Sequence, residues 1–160
     1  KYLRAGLSYG GPCFPRDNRL VSYAANQVGL SAPLAEATDR VNEMAKEQLA
    51  QQALACVRPG DTVAVLGMSY RPDTYIVEES AGLHIAQSLK RSGCRVVVHD
   101  YAANAANSPA LLEFESLSEP GLLRREKRLK AVLICNPWPE YAKIKFPKGV
   151  AVFDPWGVVT

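Results

Sequence analysis

The chain has 160 residues, 48% of them apolar and 22% charged, an ordinary globular balance. At this length it can bury roughly 70% of the surface its unfolded form exposes, so a core forms without a disulfide or metal staple. Nineteen Lys and Arg stand against 16 Asp and Glu, a net charge of +3, which excludes a polybasic nucleic-acid binder and a strongly acidic chain. No apolar run approaches the ~18 residues that span a bilayer, and no secretory leader is visible, so no membrane association and a cytoplasmic setting are expected. Lys1 opens the chain where an initiator Met would stand, which reads as a piece of a longer protein.

Residues 1–16 are rich in turn formers and read as a loop. Asp17 reads as the N-cap of a helix carrying Leu20, Val21, Ala24, Ala25 and Val28, with Gly29 as its stop. A long helix is expected over 33–57. Leu34, Ala37, Thr38, Val41, Met44, Ala45, Leu49, Ala53 and Cys56 form its apolar stripe. A rod of this length either packs against another domain or second subunit, or serves as one core helix.

Past Arg58-Pro59-Gly60-Asp61 the period changes. Residues 62–67 are a continuous apolar run, as in a strand buried on both faces, and 95–99 reads as a second buried strand. Further strands are expected at 130–135 and 149–153. Helices are expected at 79–92, at 118–128 on the surface, and at 138–144. Alternating strands and helices imply an α/β fold with a Rossmann-like parallel sheet, preceded by a helical arm. The chain divides near residue 59, into 1–58 and 59–160.

Cys13, Cys56, Cys94 and Cys135 form no C-x-x-C pair, and His84 and His99 are the only histidines, so no metal site is expected. Cys56, Cys94 and Cys135 lie in apolar surroundings and read as buried, inert thiols. The turn after the first strand, Gly67-Met68-Ser69-Tyr70-Arg71-Pro72, has one glycine where a dinucleotide fingerprint has three. Asp100 ends the second strand, at the place of a ribose-binding acid, but lies 33 positions past Gly67. This unit is therefore not expected to be the primary NAD-binding domain. Tyr70, Arg71, Asp73, Thr74, Asp100, Asn136 and Asp154 fall at strand carboxyl ends, where open sheets bind ligands. Arg71 there is either a phosphate partner or a solvated loop cation.

The strongest local signal is Gly6-Leu7-Ser8-Tyr9-Gly10-Gly11-Pro12-Cys13-Phe14-Pro15-Arg16-Asp17. Glycines let a backbone pass close to a ligand. Cys13 follows them just before a helix, where amide N–H groups and Arg16 favour a thiolate able to attack an aldehyde. Composition does not decide between that nucleophile and a buried structural cysteine.

This segment closely resembles the catalytic-cysteine motif of the UDP-glucose/GDP-mannose dehydrogenase family, G-x-G-Y-G-G-S-C-F-P-K-D. Asn42-Glu43 is similar to a pair in that family's central helix. The stretch from Ala64 to Thr74 resembles A-V-L-G-L-A-F-K-P-N-T. Asn136 to Tyr141 resembles T-E-W-P-E-F, and Val152-Phe153-Asp154 resembles the closing V-I-D. The resemblance implies oxidation of a nucleotide sugar's C6 alcohol to a carboxylate by two NAD in succession, through a cysteine thiohemiacetal and thioester. It implies Cys13 as nucleophile and Asp17 as the acid that positions water. Tyr9, Gly10, Gly11 and Phe14 would lie around the sugar, and Arg71 against the nucleotide.

It further implies a UDP-sugar substrate, an NAD site mainly in an N-terminal domain absent here, and a homodimer through the helix at 33–57. Phe14 and the Tyr2-to-Gly6 lead-in favour UDP-glucose over GDP-mannose. Against the family pattern, Arg71 replaces Lys, Pro12 replaces a small residue, and Tyr75 and Ile76 replace two acids. Glu78 stands in place of an arginine near the cofactor pyrophosphate, and Trp156 stands in the closing D-x-R. These departures leave a non-catalytic nucleotide-sugar-binding or dimerisation module as the other reading.

Overall fold

The computed structural model describes residues 6–159; the Tyr2–Ala5 part of the lead-in lies outside them. Helix α1 spans Phe14–Gln27 and α2 spans Pro33–Leu54. Strand β1 (Thr62–Leu66), helix α3 (Ala81–Arg91) and strand β2 (Arg95–His99) follow. Then come β3 (Glu115–Ser116), β4 (Leu129–Ile134) and β5 (Ala151–Phe153). All pairings are parallel, in the order β3-β2-β1-β4-β5, which is the α/β architecture the alternation implies. Strand order reverses at β1, so the crevice beyond the carboxyl ends of β1 and β4 is the sheet's switch point.

Every residue of β1 is buried, since helices and turns cover both faces. Val63, Val65, Val98 and Leu133 point to one face, where Ile85, Ala86 and Leu89 of α3 meet them. Ala64, Leu66, Val97, Val132 and Ile134 point to the other, under Leu123, Trp138 and Tyr141. Each fully buried aliphatic side chain contributes about 1.5–3 kcal/mol. Leu49, Ala50 and Ala53 join the first face, so the carboxyl half of α2 is anchored to the sheet.

Four expectations are corrected. Cys13, not Asp17, is the N-cap of α1: Pro15 fits the first turn, and the Cys13 carbonyl accepts the Asp17 N–H at 2.8 Å. Helix α2 ends at Leu54, three residues before 57. Cys56 is consequently in a turn and exposed, whereas Cys94 and Cys135 are buried. The surface helix at 118–128 is only a 3-10 turn over Pro120–Arg125. Proline and glycine open it, burying Leu123 suffices to seat it, and the chain must re-enter the sheet at Leu129.

His99, 4% exposed at the end of β2, has Nδ1 3.1 Å from the Tyr141 hydroxyl. Burial holds its pKa below the usual imidazole value, partly offset by the Asp100 charge. The unfolded chain therefore binds more protons as pH falls below about 6.5, and stability declines there. Melting temperature should drop from pH 7 to pH 5, and the drop should be smaller in His99→Gln. An equal drop in both proteins would contradict this origin.

Candidate active site

The cysteine loop is gripped from two sides. Helix α2 holds Tyr9: the Tyr9 N–H donates to Asn42 Oδ1 at 2.8 Å, and Asn42 Nδ2 donates to the Tyr9 carbonyl at 3.0 Å. One helical turn earlier, Asp39 Oδ1 accepts the Tyr9 hydroxyl at 2.9 Å. Burial, the Asp39 bond and its charge push the Tyr9 phenol up to about 12. On the opposite side the Gly11 N–H donates to the Glu78 carbonyl at 3.0 Å.

The glycines are required by these approaches. A Cβ on Gly10 would overlap the Glu79 carbonyl oxygen, and one on Gly11 (φ +87°) would lie 2.8 Å from the Tyr70 ring. Both glycines thus meet protein, and the closeness the sequence suggests is to the loop before α3. Glu79 itself sits at φ +54°, with its carboxylate 2.7 Å from Arg19 of α1.

Cys13 is exposed. It opens α1 and lines a shallow cleft of about 400 Å³ together with Phe14, Asp17, Asn18 and Val21. The structure therefore brings Cys13, Phe14 and Asp17 together. Asp17 accepts from Arg16 Nε at 2.9 Å, both side chains being exposed. Asn18 fixes the cleft floor by donating to the Ala35 carbonyl at 2.8 Å. The Phe14 ring is 65% exposed and its centroid is 6.0 Å from that of Tyr9.

Arg71 approaches the cysteine loop through Tyr70, at Gly11 and not at the Cys13 cleft itself. Its Nε donates to the Tyr70 hydroxyl at 2.9 Å, and its guanidinium carbon lies 5.5 Å from the Tyr70 ring centroid. The same ring lies against Gly11. The bond to Tyr70 holds the Arg71 pKa above its usual value, so the exposed guanidinium is a fixed positive charge beside the loop.

The turn after β1 does not fit a dinucleotide pyrophosphate. Asp100 Oδ2 already accepts the Met68 and Ser69 N–H groups at 2.7 and 2.9 Å, and the Ser69 hydroxyl at 2.8 Å. Its Oδ1 accepts from Ala102 and Ala103. The amides that would cradle phosphate, and the acid that would bind ribose, satisfy each other. The N-terminus of α3 is likewise closed, by Ser80 Oγ accepting the Leu83 N–H at 3.1 Å.

A larger cavity, about 610 Å³, lies between the loop and α2. Leu7, Leu34, Val41, Asn42 and Trp156 are among the residues lining it. Two buried polar atoms in these walls, Ser8 Oγ and Trp156 Nε1, have no hydrogen-bond partner. The Trp156 ring lies so close over Gly6 that no side chain fits there. Leu34 is 84% exposed, and Val41 and Met44 also face outward. The apolar stripe expected to be covered is thus open along the first half of α2.

Among the described residues, no group of three or more His, Cys, Asp or Glu could hold a metal, and no helix is long and apolar enough to cross a membrane. Asn42 and Asp39 are the site residues whose roles the sequence did not reveal. Asn42 is marked by its likeness to the pair in the family's central helix, without a role, and Asp39 only as a short polar side chain beside an apolar stripe.

Comparison with known proteins gives the same family at both ends of the chain. Residues 64–160 match the model described as "UDP-glucose/GDP-mannose dehydrogenase family, UDP binding domain". Residues 1–44 match that family's central domain. A UDP-glucose 6-dehydrogenase of Bacillus subtilis is 28% identical over 150 residues, covering 92% of this chain and 32% of that protein. One from Pseudomonas aeruginosa is 35% identical over 107 residues, covering 65% of this chain and 24% of that protein. The solved UDP-glucose dehydrogenase of Pyrobaculum islandicum superposes with a TM-score of 0.83 at 31% identity, covering 96% of this chain and 36% of that one. The chain thus spans about a third of the length of relatives it matches along most of its own. With the cysteine loop, the parallel sheet and both family regions in one order, the chain belongs to the UDP-glucose/GDP-mannose dehydrogenase family.

Proposed function

We propose that this chain is part of an NAD-dependent dehydrogenase that oxidises the C6 alcohol of UDP-glucose to the carboxylate, with Cys13 as nucleophile. The observation that carries the reading is the exposed Cys13 thiol at the mouth of a cleft that Asp17 shares. A thiol placed there can add to a sugar aldehyde, forming a carbon–sulfur bond while the carbonyl oxygen takes a proton. Loss of hydride from that carbon leaves a thioester, and water then releases the carboxylate and regenerates the thiol. Asp17, on the first turns of the same helix and in the same cleft, orients that water in this reading. Tyr9, Gly10, Gly11 and Phe14 shape the sugar side, and Arg71 offers a planar cation to the diphosphate.

NAD, when bound, supplies the hydride acceptor. The Asp100-sealed turn supports a site that lies mainly in an N-terminal domain of the longer enzyme. Residues 1–58 act as the cysteine loop and helical arm, and residues 59–160 as the nucleotide-sugar domain. The outward-facing Leu34, Val41 and Met44 support a homodimer through α2, and the protein works in the cytoplasm.

The test is turnover by the longer protein. UDP-glucose with NAD should give two NADH per sugar, and the preparation should sediment as a dimer. Turnover of GDP-mannose instead would move the reading to the other branch of the family. No turnover with either, despite retained UDP-glucose binding, would leave a binding module.

A further inference from the structure

Asn42 is 5% exposed, yet both ends of its carboxamide bond the backbone of one residue in another segment, 33 residues away. It accepts from the Tyr9 N–H and donates to the Tyr9 carbonyl, as a neighbouring strand would. Only a group that is donor and acceptor at once can do this. Four positions later in the chain comes Cys13, and no regular element intervenes between Tyr9 and the start of α1. Among the described residues, the loop is also hydrogen-bonded by Asp39 at the Tyr9 hydroxyl and by Glu78 at the Gly11 N–H.

We infer that Asn42 is a positioning residue, whose two-way clasp on the Tyr9 peptide sets where the Cys13 thiol stands for aldehyde capture. The inference rests on reading Cys13 as the nucleophile.

The clasp has a specific chemical signature, because an aspartate keeps the shape of asparagine but changes donors with pH. In Asn42→Asp, a protonated carboxyl can make both bonds, whereas a carboxylate can only accept and would face the Tyr9 carbonyl oxygen. The charges around the position are mixed. Asp39 and Glu43 of α2 disfavour a further negative charge. Lys46, bonded to Glu43 at 2.6 Å, favours one. Arg19 of α1 and Tyr9 face it across the loop, Glu79 holds Arg19, and His84 of α3 lies 3.9 Å from Glu43. Near-complete burial favours the neutral acid and raises the carboxyl above the usual carboxylate range.

The experiment has two readouts, each taken relative to the unsubstituted protein at the same pH so that the histidines cancel. The first is amide hydrogen exchange of Tyr9 and Gly11 in this chain, with Val65 and Val97 in the sheet as references. In Asn42→Asp, protection of the loop amides should fall by about tenfold or more at about pH 8 and return at about pH 5. Asn42→Ala should lose it at both pH values. The second readout is kcat of the longer protein: the Asn42→Asp to wild-type ratio should rise about tenfold from about pH 8 to about pH 5.

Unchanged protection at both pH values would show that the clasp does not hold the loop. Equal losses of protection or kcat at both would reduce Asn42 to a packing role. Exchange that switches with pH while the kcat ratio stays flat would separate the loop from the chemistry. Each of these overturns the inference. Failure of the nucleophile reading is recognised separately, by full turnover in Cys13→Ser, and does not affect the exchange result.

Discussion

Gly10→Ala should cut turnover by roughly 10²-fold while leaving the sheet intact, because it acts on the loop's seat and nothing else. The added methyl would fall on the Glu79 carbonyl oxygen, with the Glu79 carbonyl carbon and Ser80 Cα close behind. These are backbone atoms just before α3, and Ser80 is anchored by donating from its hydroxyl to the Met68 carbonyl at 2.7 Å. They cannot swing aside as a side-chain tip would. The loop must therefore lift, and the Gly11 bond to Glu78 beside it weakens. Such overpacking costs about 1–3 kcal/mol, small enough for the domain to stay folded. The expected pattern is a low kcat with near-native circular dichroism. Gly29→Ala is the control. Its φ of +74° strains a side chain but nothing lies within 4 Å, so it should lower stability without touching kcat. A Gly10→Ala enzyme with wild-type kcat would mean the loop's contact with the α/β unit does not matter to the chemistry.

Cys13→Ser should lower oxidation of the aldehyde by at least about 10³-fold, since a neutral hydroxyl is a far weaker nucleophile and a poor leaving group toward water. The exposed side chain at the mouth of α1 makes few contacts whose loss would confound the result. Melting temperature should stay within a degree or so, which separates a chemical defect from a folding one. Production of NADH from UDP-glucose should stall after the first oxidation. A serine variant with full kcat would remove Cys13 from the mechanism.

The strands were legible because a parallel sheet covered on both faces demands apolar runs, and Val63–Leu66 and Val96–Val98 supply them. The turn Gly67 to Pro72 has a single glycine, and its Met68 and Ser69 amides point to Asp100. That Asp100 seals the turn was not legible, since its five donors come from two segments that only the sheet brings together. The surface helix at 118–128 failed because charged residues around Leu122 and Leu123 mimic an amphipathic pattern, while Pro120 and Gly121 limit it to a short 3-10 turn.

In the site, the motif located the loop, but glycine content says only that something approaches closely. Whether that something is ligand or protein depends on Glu79 and Tyr70, about sixty to seventy residues later in the chain. Helical periodicity found the α2 stripe, yet cannot say what covers it, and Leu34 and Val41 turn out to face an open cavity. Asn42 carried a visible signal, a polar residue beside that stripe, whose meaning required knowing that Tyr9 lies opposite.

The most direct measurement is rapid quenching of the longer enzyme during turnover of UDP-glucose with NAD, followed by mass analysis of cysteine-containing peptides. Cys56, also exposed, serves as the internal reference. The account predicts the sugar-nucleotide mass on the Cys13 peptide alone, appearing and decaying with turnover. Active enzyme with an unmodified Cys13 peptide at every quench time, or with equal labelling at Cys56, would contradict it.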